Sequence, residues 1–228
     1  MAVLPRNRSR LLKGALGLFL TLSFGGPCSA GQPAERFLDA VLASVNGRII
    51  AASDVAIARA LSLFGVEPSD APIQRADAET LVDSRLIDQE AVQLAIGGTP
   101  QEFEEAWRAA ADKVGGMSAL EAWMDQNDLS GAWIRKMVEA DLRWRRFIDL
   151  RFRAFVFISD SDVSQALGPG AHAAEAREET RKKLQADAVN RDVTAWLTEA
   201  RKRATIQHAD LVEGGVPLPI PMPPANRP

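Results

Sequence analysis

One cysteine, two histidines and no tyrosine among 228 residues leave this chain short of the side chains on which much enzyme chemistry rests. A lone cysteine cannot close a disulfide within the chain. So few thiols and imidazoles also leave little material for a zinc site or a thiol-based active site. An excess of positive charge is missing too, because 27 Lys+Arg stand against 30 Asp+Glu, a formal charge of −3. Phosphate backbones are neutralised by Lys and Arg, so nucleic acid is not the expected partner. No Gly-rich phosphate loop, Gly-x-Ser-x-Gly elbow, Cys-x-x-Cys or His-Glu-x-x-His occurs. His172 and His208 fall beside the Gly168–Gly170 break and the C-terminal tail, where exposed loop positions are expected. Asp160 with Asp162 and Glu178 with Glu179 are explained by helix capping and solvated helix faces rather than acid/base work.

What is present is an ordinary apolar fraction of 46% and a charged fraction of 25%, as in folded soluble chains. It is preceded by a segment with an export pattern. Arg6, Arg8, Arg10 and Lys13 form a basic front, Leu11 to Phe24 is almost wholly apolar, and Gly25-Gly26-Pro27-Cys28-Ser29-Ala30 is small and turn-prone. This is the organisation of a secretory signal covering 1–30, with cleavage expected after Ala30. Membrane anchoring and lipidation at Cys28 are the alternatives. Spanning needs about 20 apolar residues, more than this run supplies, and Pro27 fits a lipoprotein signal poorly. No Arg-Arg pair marks the twin-arginine route. Cleavage removes four positive residues and no acid, taking −3 to −7, and removes the only cysteine. A chain without thiols suits an oxidising compartment, and the periplasm is the expected location.

Asn46-Gly47 between Val41–Val45 and Arg48–Ala51 predicts a tight β-hairpin, because both turn residues tolerate positive φ. Ser53 is expected to cap a helix running to about Phe64 and stopping at Gly65. Val66–Gln74 reads as a loop, and a long helix from about Ala76 ends before Gly97-Gly98. Thr99-Pro100-Gln101-Glu102 and Ser118-Ala119-Leu120-Glu121 read as capping boxes, opening helices to about Val114 and Gln126. A helix from Gly131 to Arg153, an extended Phe155–Ile158 and a short Ser159-capped helix to Leu167 follow. A last helix covers 173–203, with Glu178–Lys182 and Glu179–Lys183 at favourable i,i+4 spacing. Ala204–Gln207 is expected to close the domain as a strand. The segment 214–228 holds six of the thirteen prolines, alternating with Val216, Leu218, Ile220 and Met222. It reads as an extended polyproline-like tail, with a disordered terminus as the alternative.

The helix from Gly131 carries an unusually wide apolar surface. Trp133, Met137, Ala140, Trp144, Phe147 and Ile148 form one stripe, and Ile134, Val138, Leu142 and Phe152 extend it past half the circumference. An ordinary surface helix needs an apolar face of only about 100°. Two explanations remain open: a central helix packed on two sides, or a surface of which part lines a groove for a partner's apolar segment. Trp and Met suit the second role through broad contact area and adaptable shape.

The order of these elements resembles the N-terminal domain of the SurA-type periplasmic chaperones. Val41 to Ile50 followed by Ser53-Asp54-Val55 is similar to that family's opening hairpin and first helix. Leu81-Val82-Asp83-Ser84-Arg85-Leu86-Ile87-Asp88-Gln89-Glu90 resembles its second helix. Phe157-Ile158-Ser159-Asp160-Ser161-Asp162-Val163 is similar to its extended segment and short helix. Val189-Asn190, Trp196-Leu197 and the run to Ala204-Thr205-Ile206 resemble its returning helix and strand. The resemblance covers 37–209 and implies a mainly α fold: a helical bundle with a small N-terminal β-hairpin completed by a C-terminal strand. In that family, parvulin-type prolyl isomerase domains lie before the returning helix. Here the interval is Gly168-Pro169-Gly170-Ala171-His172, too short for a catalytic domain.

The resemblance therefore implies a chaperone module without its isomerase: a periplasmic, ATP-independent holdase with neither cofactor nor metal. Its partners would be unfolded exported proteins, including outer-membrane β-barrel precursors, held in an apolar groove to which Trp133, Met137, Trp144, Ile134 and Val138 contribute. A prolyl isomerase of the same family is one alternative. The other is an exported adaptor that docks through its Pro-rich tail, segment 210–228.

Overall fold

A computed structural model describes residues 39–170, 173–211 and 213–223. The expected export signal and His172 lie outside the described residues. The hairpin forms as expected. Strands β1 (Val41–Val45) and β2 (Arg48–Ala51) are antiparallel, and Asn46 and Gly47 turn between them at φ 50° and 79°. Strand β3 (Ile206–His208) pairs antiparallel with the other edge of β1, giving the order β2-β1-β3. The turn also anchors that return. Asn46 donates its backbone N–H to the Thr205 carbonyl (2.8 Å), and its Oδ1 accepts the Thr205 N–H (2.9 Å). His208 is thus the last residue of a strand rather than a loop residue, and its Nε2 lies 3.5 Å from Glu79.

Helix α1 (Ala52–Leu61) follows β2 directly, and every one of its residues is buried. Ser53 does not cap it. The cap position is Ala51, whose N–H donates to Asp54 (2.9 Å), while Ser53 donates its N–H (3.0 Å) and its hydroxyl to Asp39. Nor does α1 reach Phe64. Ser62 turns left-handed (φ 51°), and a 3-10 turn over Leu63–Gly65 contains Phe64 at φ 56°. A bulky residue in that region is strained by about 1–3 kcal/mol unless its surroundings hold it. The buried carboxylate of Asp141 does so, accepting the Phe64 N–H at 2.7 Å.

Helix α2 (Arg75–Gln93) starts after a loop pinned by Arg59. Buried on α1, Arg59 bridges to Asp77 (2.9 Å) and donates to the carbonyls of Ala71 (2.6 Å) and Ser69 (3.3 Å). Thr99 and Glu102 form the expected reciprocal box at the head of α3 (Pro100–Lys113). The second box does not form. Helix α4 (Met117–Gln126) begins two residues earlier than a cap at Ser118 requires, because Gly116 at φ 100° takes the cap position. Helix α5 (Gly131–Arg151) ends in a 3-10 turn over Arg153–Phe155, so only the residues after Phe155 are extended. Ser159 and Asp162 cap α6 (Asp160–Leu167) reciprocally. Helix α7 (Ala174–Arg203) is about 45 Å long at 1.5 Å per residue. Glu178 pairs with Arg181 there rather than with Lys182.

The described residues are therefore mainly helical, with a small three-stranded antiparallel sheet. Helix α5 is central, packed against both α2 and α3. Two clusters fill the interior. The larger lies among the sheet and α1 to α5, and includes Ile220 and Met222 of the C-terminal segment. The smaller joins Ile87 and Ala91 of α2, Phe147 and Ile148 of α5, Phe152, and Val189 of α7. Arg201 clamps α7 to α2 through Glu79 (2.7 Å) and Asp83 (2.6 Å).

Candidate functional site

The wide apolar surface of α5 serves mainly as packing on two sides. Ile134 and Val138 have no exposed surface and Met137 is 5% exposed, so the first two cannot touch a partner. Trp133 and Trp144 are half-buried and belong to different depressions. Trp144 meets the Phe64 ring edge-on at 6.3 Å and borders the crease between α5 and α7. Trp133 and Met137 line a cavity of about 150 Å³ with Phe64, Leu81 and Ala140, beside Asp54, Arg85 and Lys136. The five residues expected to share one groove are thus divided between the core and two separate depressions. The cavity is the size of a single aromatic ring and cannot hold a chain segment.

One wall of that cavity is chemically unusual. Asp54 is 4% exposed, and its Oδ1 has no hydrogen-bond partner. Burial raises its pKa above the ordinary carboxylate value, opposed by the Ala51 N–H and Arg85 and reinforced by Asp39. Asp141 is raised for the same first reason, against the Phe64 N–H and Arg145. Both carboxylates hold backbone, and that work accounts for their burial. Among the described residues no group of His, Cys, Asp and Glu could hold a metal ion. No described helix is long and apolar enough to cross a membrane.

Uncovered apolar surface lies elsewhere, where α2 and α5 end. Leu94, Ile96, Leu150, Phe152, Phe155 and Trp196 line one open depression with Arg151 beside it. Leu94 and Leu150 are each more than half exposed, and Phe155 is 80% exposed. Phe157 is 86% exposed, while Val156 between the two packs on the smaller cluster. Phe152 and Trp196 of this lining pack with Phe147 beneath, at centroid separations of 5.2 to 6.5 Å. Exposed Phe and Leu gathered round one depression are a feature that interaction sites share. Spacing alone places Phe155 and Phe157 in an apolar extended run. That α7 covers their neighbours and leaves them bare is a tertiary fact.

A second apolar contact is already filled, by the chain itself. Residues 213–223 turn at 213–214, pass the 66–74 loop and reach α4 with a bend at 219–220. Val216 pairs with Ile73 through two backbone bonds of 2.7 and 2.9 Å, and Gln74 Nε2 donates to the Gly214 carbonyl (3.1 Å). Trp123 Nε1 donates to the Pro221 carbonyl (2.9 Å), and Ile220 and Met222 are buried. The tail is thus non-helical, as its prolines require, and docked, but a turn and a bend interrupt the expected extended course. Sequence reading does not single out Ile73, Gln74 or Trp123, since each is remote from the tail along the chain.

No protein-family model and no curated protein matches this chain.

Proposed function

We propose that the chain is an exported, ATP-independent holdase, with its helices and sheet arranged as in the N-terminal domain of the SurA-type periplasmic chaperones. The observation that carries this function is the open apolar depression at Leu94, Leu150 and Phe155, with the exposed Phe157 two residues further along the chain, over packed aromatic rings. Such a face gains about 25 cal/mol for each Å² of client apolar surface removed from water, less the cost of ordering the client. The hairpin, the helix directly after it and the strand returning to β1 support the SurA-type arrangement. The short link between α6 and α7, 168–173, supports a chaperone module without an inserted isomerase domain. The basic and apolar N-terminal residues support export to the periplasm, where unfolded outer-membrane β-barrel precursors are clients of suitable chemistry.

The direct test is light scattering from an unfolded outer-membrane β-barrel protein diluted into buffer, with and without the chain, in the absence of ATP. Suppression near equimolar ratio is expected. Unchanged aggregation would remove the holdase function, and cis/trans catalysis on a proline peptide would replace it with an isomerase.

A further inference from the structure

The contacts that hold residues 213–223 share a character. Those to the tail's backbone use main-chain groups, one amide side chain and one indole N–H: Ile73 pairs with Val216, Gln74 grips the Gly214 carbonyl, and Trp123 grips the Pro221 carbonyl. None of these bonds reads a side chain; the position that is read is Gly215, where a Cβ would meet Ile73 and Gln74. Selection comes from the side chains that enter the contact: Ile220, Met222 and Pro223 are buried and Pro219 is half-buried, while Pro217 and Pro221 face outward. Proline suits those outward positions. It holds the chain extended before binding and brings no N–H that needs a partner. An indole N–H on the carbonyl of an extended proline segment is a recognised way of capturing such peptides.

We infer that the trough formed by Ile73, Gln74 and Trp123 is a receptor site for extended, proline-spaced apolar segments, filled by the chain's own tail until a client segment of the same chemistry displaces it. The client assignment rests on the holdase function proposed above; the binding chemistry of the trough does not. Tethering gives the tail a high effective concentration, so a client segment exchanges with it only where it meets the same demands. Gly215 sets one of them. It sits at φ +88°, and a Cβ there would lie 2.6 Å from the Ile73 carbonyl oxygen and 2.4 Å from Gln74 Nε2. Seating therefore depends on one residue that lacks a side chain, immediately before the segment that fills the trough.

The test uses the full chain and a fluorescent peptide of residues 214–223. Two variants empty the trough from the tail's side: Gly215→Ala, and Ile220→Ser with Met222→Ser. The left-handed backbone alone disfavours alanine about tenfold. The peptide is therefore expected to bind either variant at least about tenfold tighter than the parent, and to raise the variant's Tm toward the parent value. A peptide carrying the two serines should not bind, and adding Trp123→Phe should weaken the gain. No gain in either variant overturns the proposal. So does unfolding of both without rescue by peptide, since the segment would then be core. A dimer with exchanged tails assigns the trough to a second copy and overturns the client role. Peptide binding without suppression of client aggregation would refute the holdase alone, and suppression without peptide binding would refute the trough alone.

Discussion

Replacing Phe155 and Phe157 together by serine should weaken client binding roughly thirtyfold and leave the fold intact. The rings are 80% and 86% exposed, so neither contributes much to the interior. Surface substitutions of this kind change stability by within about 0.5 kcal/mol. A bound client would cover most of each ring. Aromatic side chains bury about 150 Å² or more, which at about 25 cal/mol per Å² sets a ceiling near 4 kcal/mol per ring. Ordering of the client consumes much of this, leaving about 1 kcal/mol per ring and a double variant that binds roughly thirtyfold more weakly. Fluorescence anisotropy with an unfolded β-barrel fragment reads the affinity, light scattering reads the protection, and thermal unfolding controls for the fold. Phe152→Ala is the contrasting change. That ring is 8% exposed and packs on Phe147 and Trp196, so it should cost about 3–5 kcal/mol of stability. A double serine variant that keeps the parent's Tm and still protects the client as well as the parent would refute the assignment of this face.

Three further outcomes follow from the buried charges. Asp141→Ala strands the Phe64 N–H in the interior and should cost about 2–4 kcal/mol in urea unfolding, while Asp141→Asn, which can still accept that bond, should cost less. Arg59→Leu removes the ion pair to Asp77, which keeps the Gln74 N–H, and leaves the carbonyls of Ala71 and Ser69 without their Arg59 donor. It should cost about 3–5 kcal/mol and speed hydrogen exchange at Ile73, the tail's pairing partner. Asp54 and Asp141 have folded pKa values raised by burial, so the native state holds their protons more tightly than the unfolded chain. The resulting stabilisation is complete below the ordinary carboxylate value and is lost as pH rises through the raised folded values. Urea unfolding across the acidic range should show the parent gaining on Asp54→Asn and Asp141→Asn as the pH falls. A difference that stays constant with pH would refute the raised values.

The features legible in the sequence are those set by a few neighbouring residues. Asn46-Gly47 turns the hairpin because both residues tolerate positive φ, and Thr99 with Glu102 and Ser159 with Asp162 satisfy each other's backbone within a single turn. The local signals that failed did so where a competing partner intervened. Ser53 hydrogen-bonds to Asp39, and Gly116 takes the cap position ahead of Ser118. The apolar excess of α5 was equally visible, but its use was not. Periodicity reports that a side chain is apolar, whereas its exposure depends on which elements pack over it. Helices α2 and α3 bury Ile134 and Val138, while the path of α7 leaves Phe155 and Phe157 bare. The C-terminal prolines by themselves determined a non-helical segment. That it is held, with Trp123 on one carbonyl and Ile73 on the backbone of Val216, was decided only by the tertiary structure, because those partners are remote in the chain and become neighbours only once the core has formed.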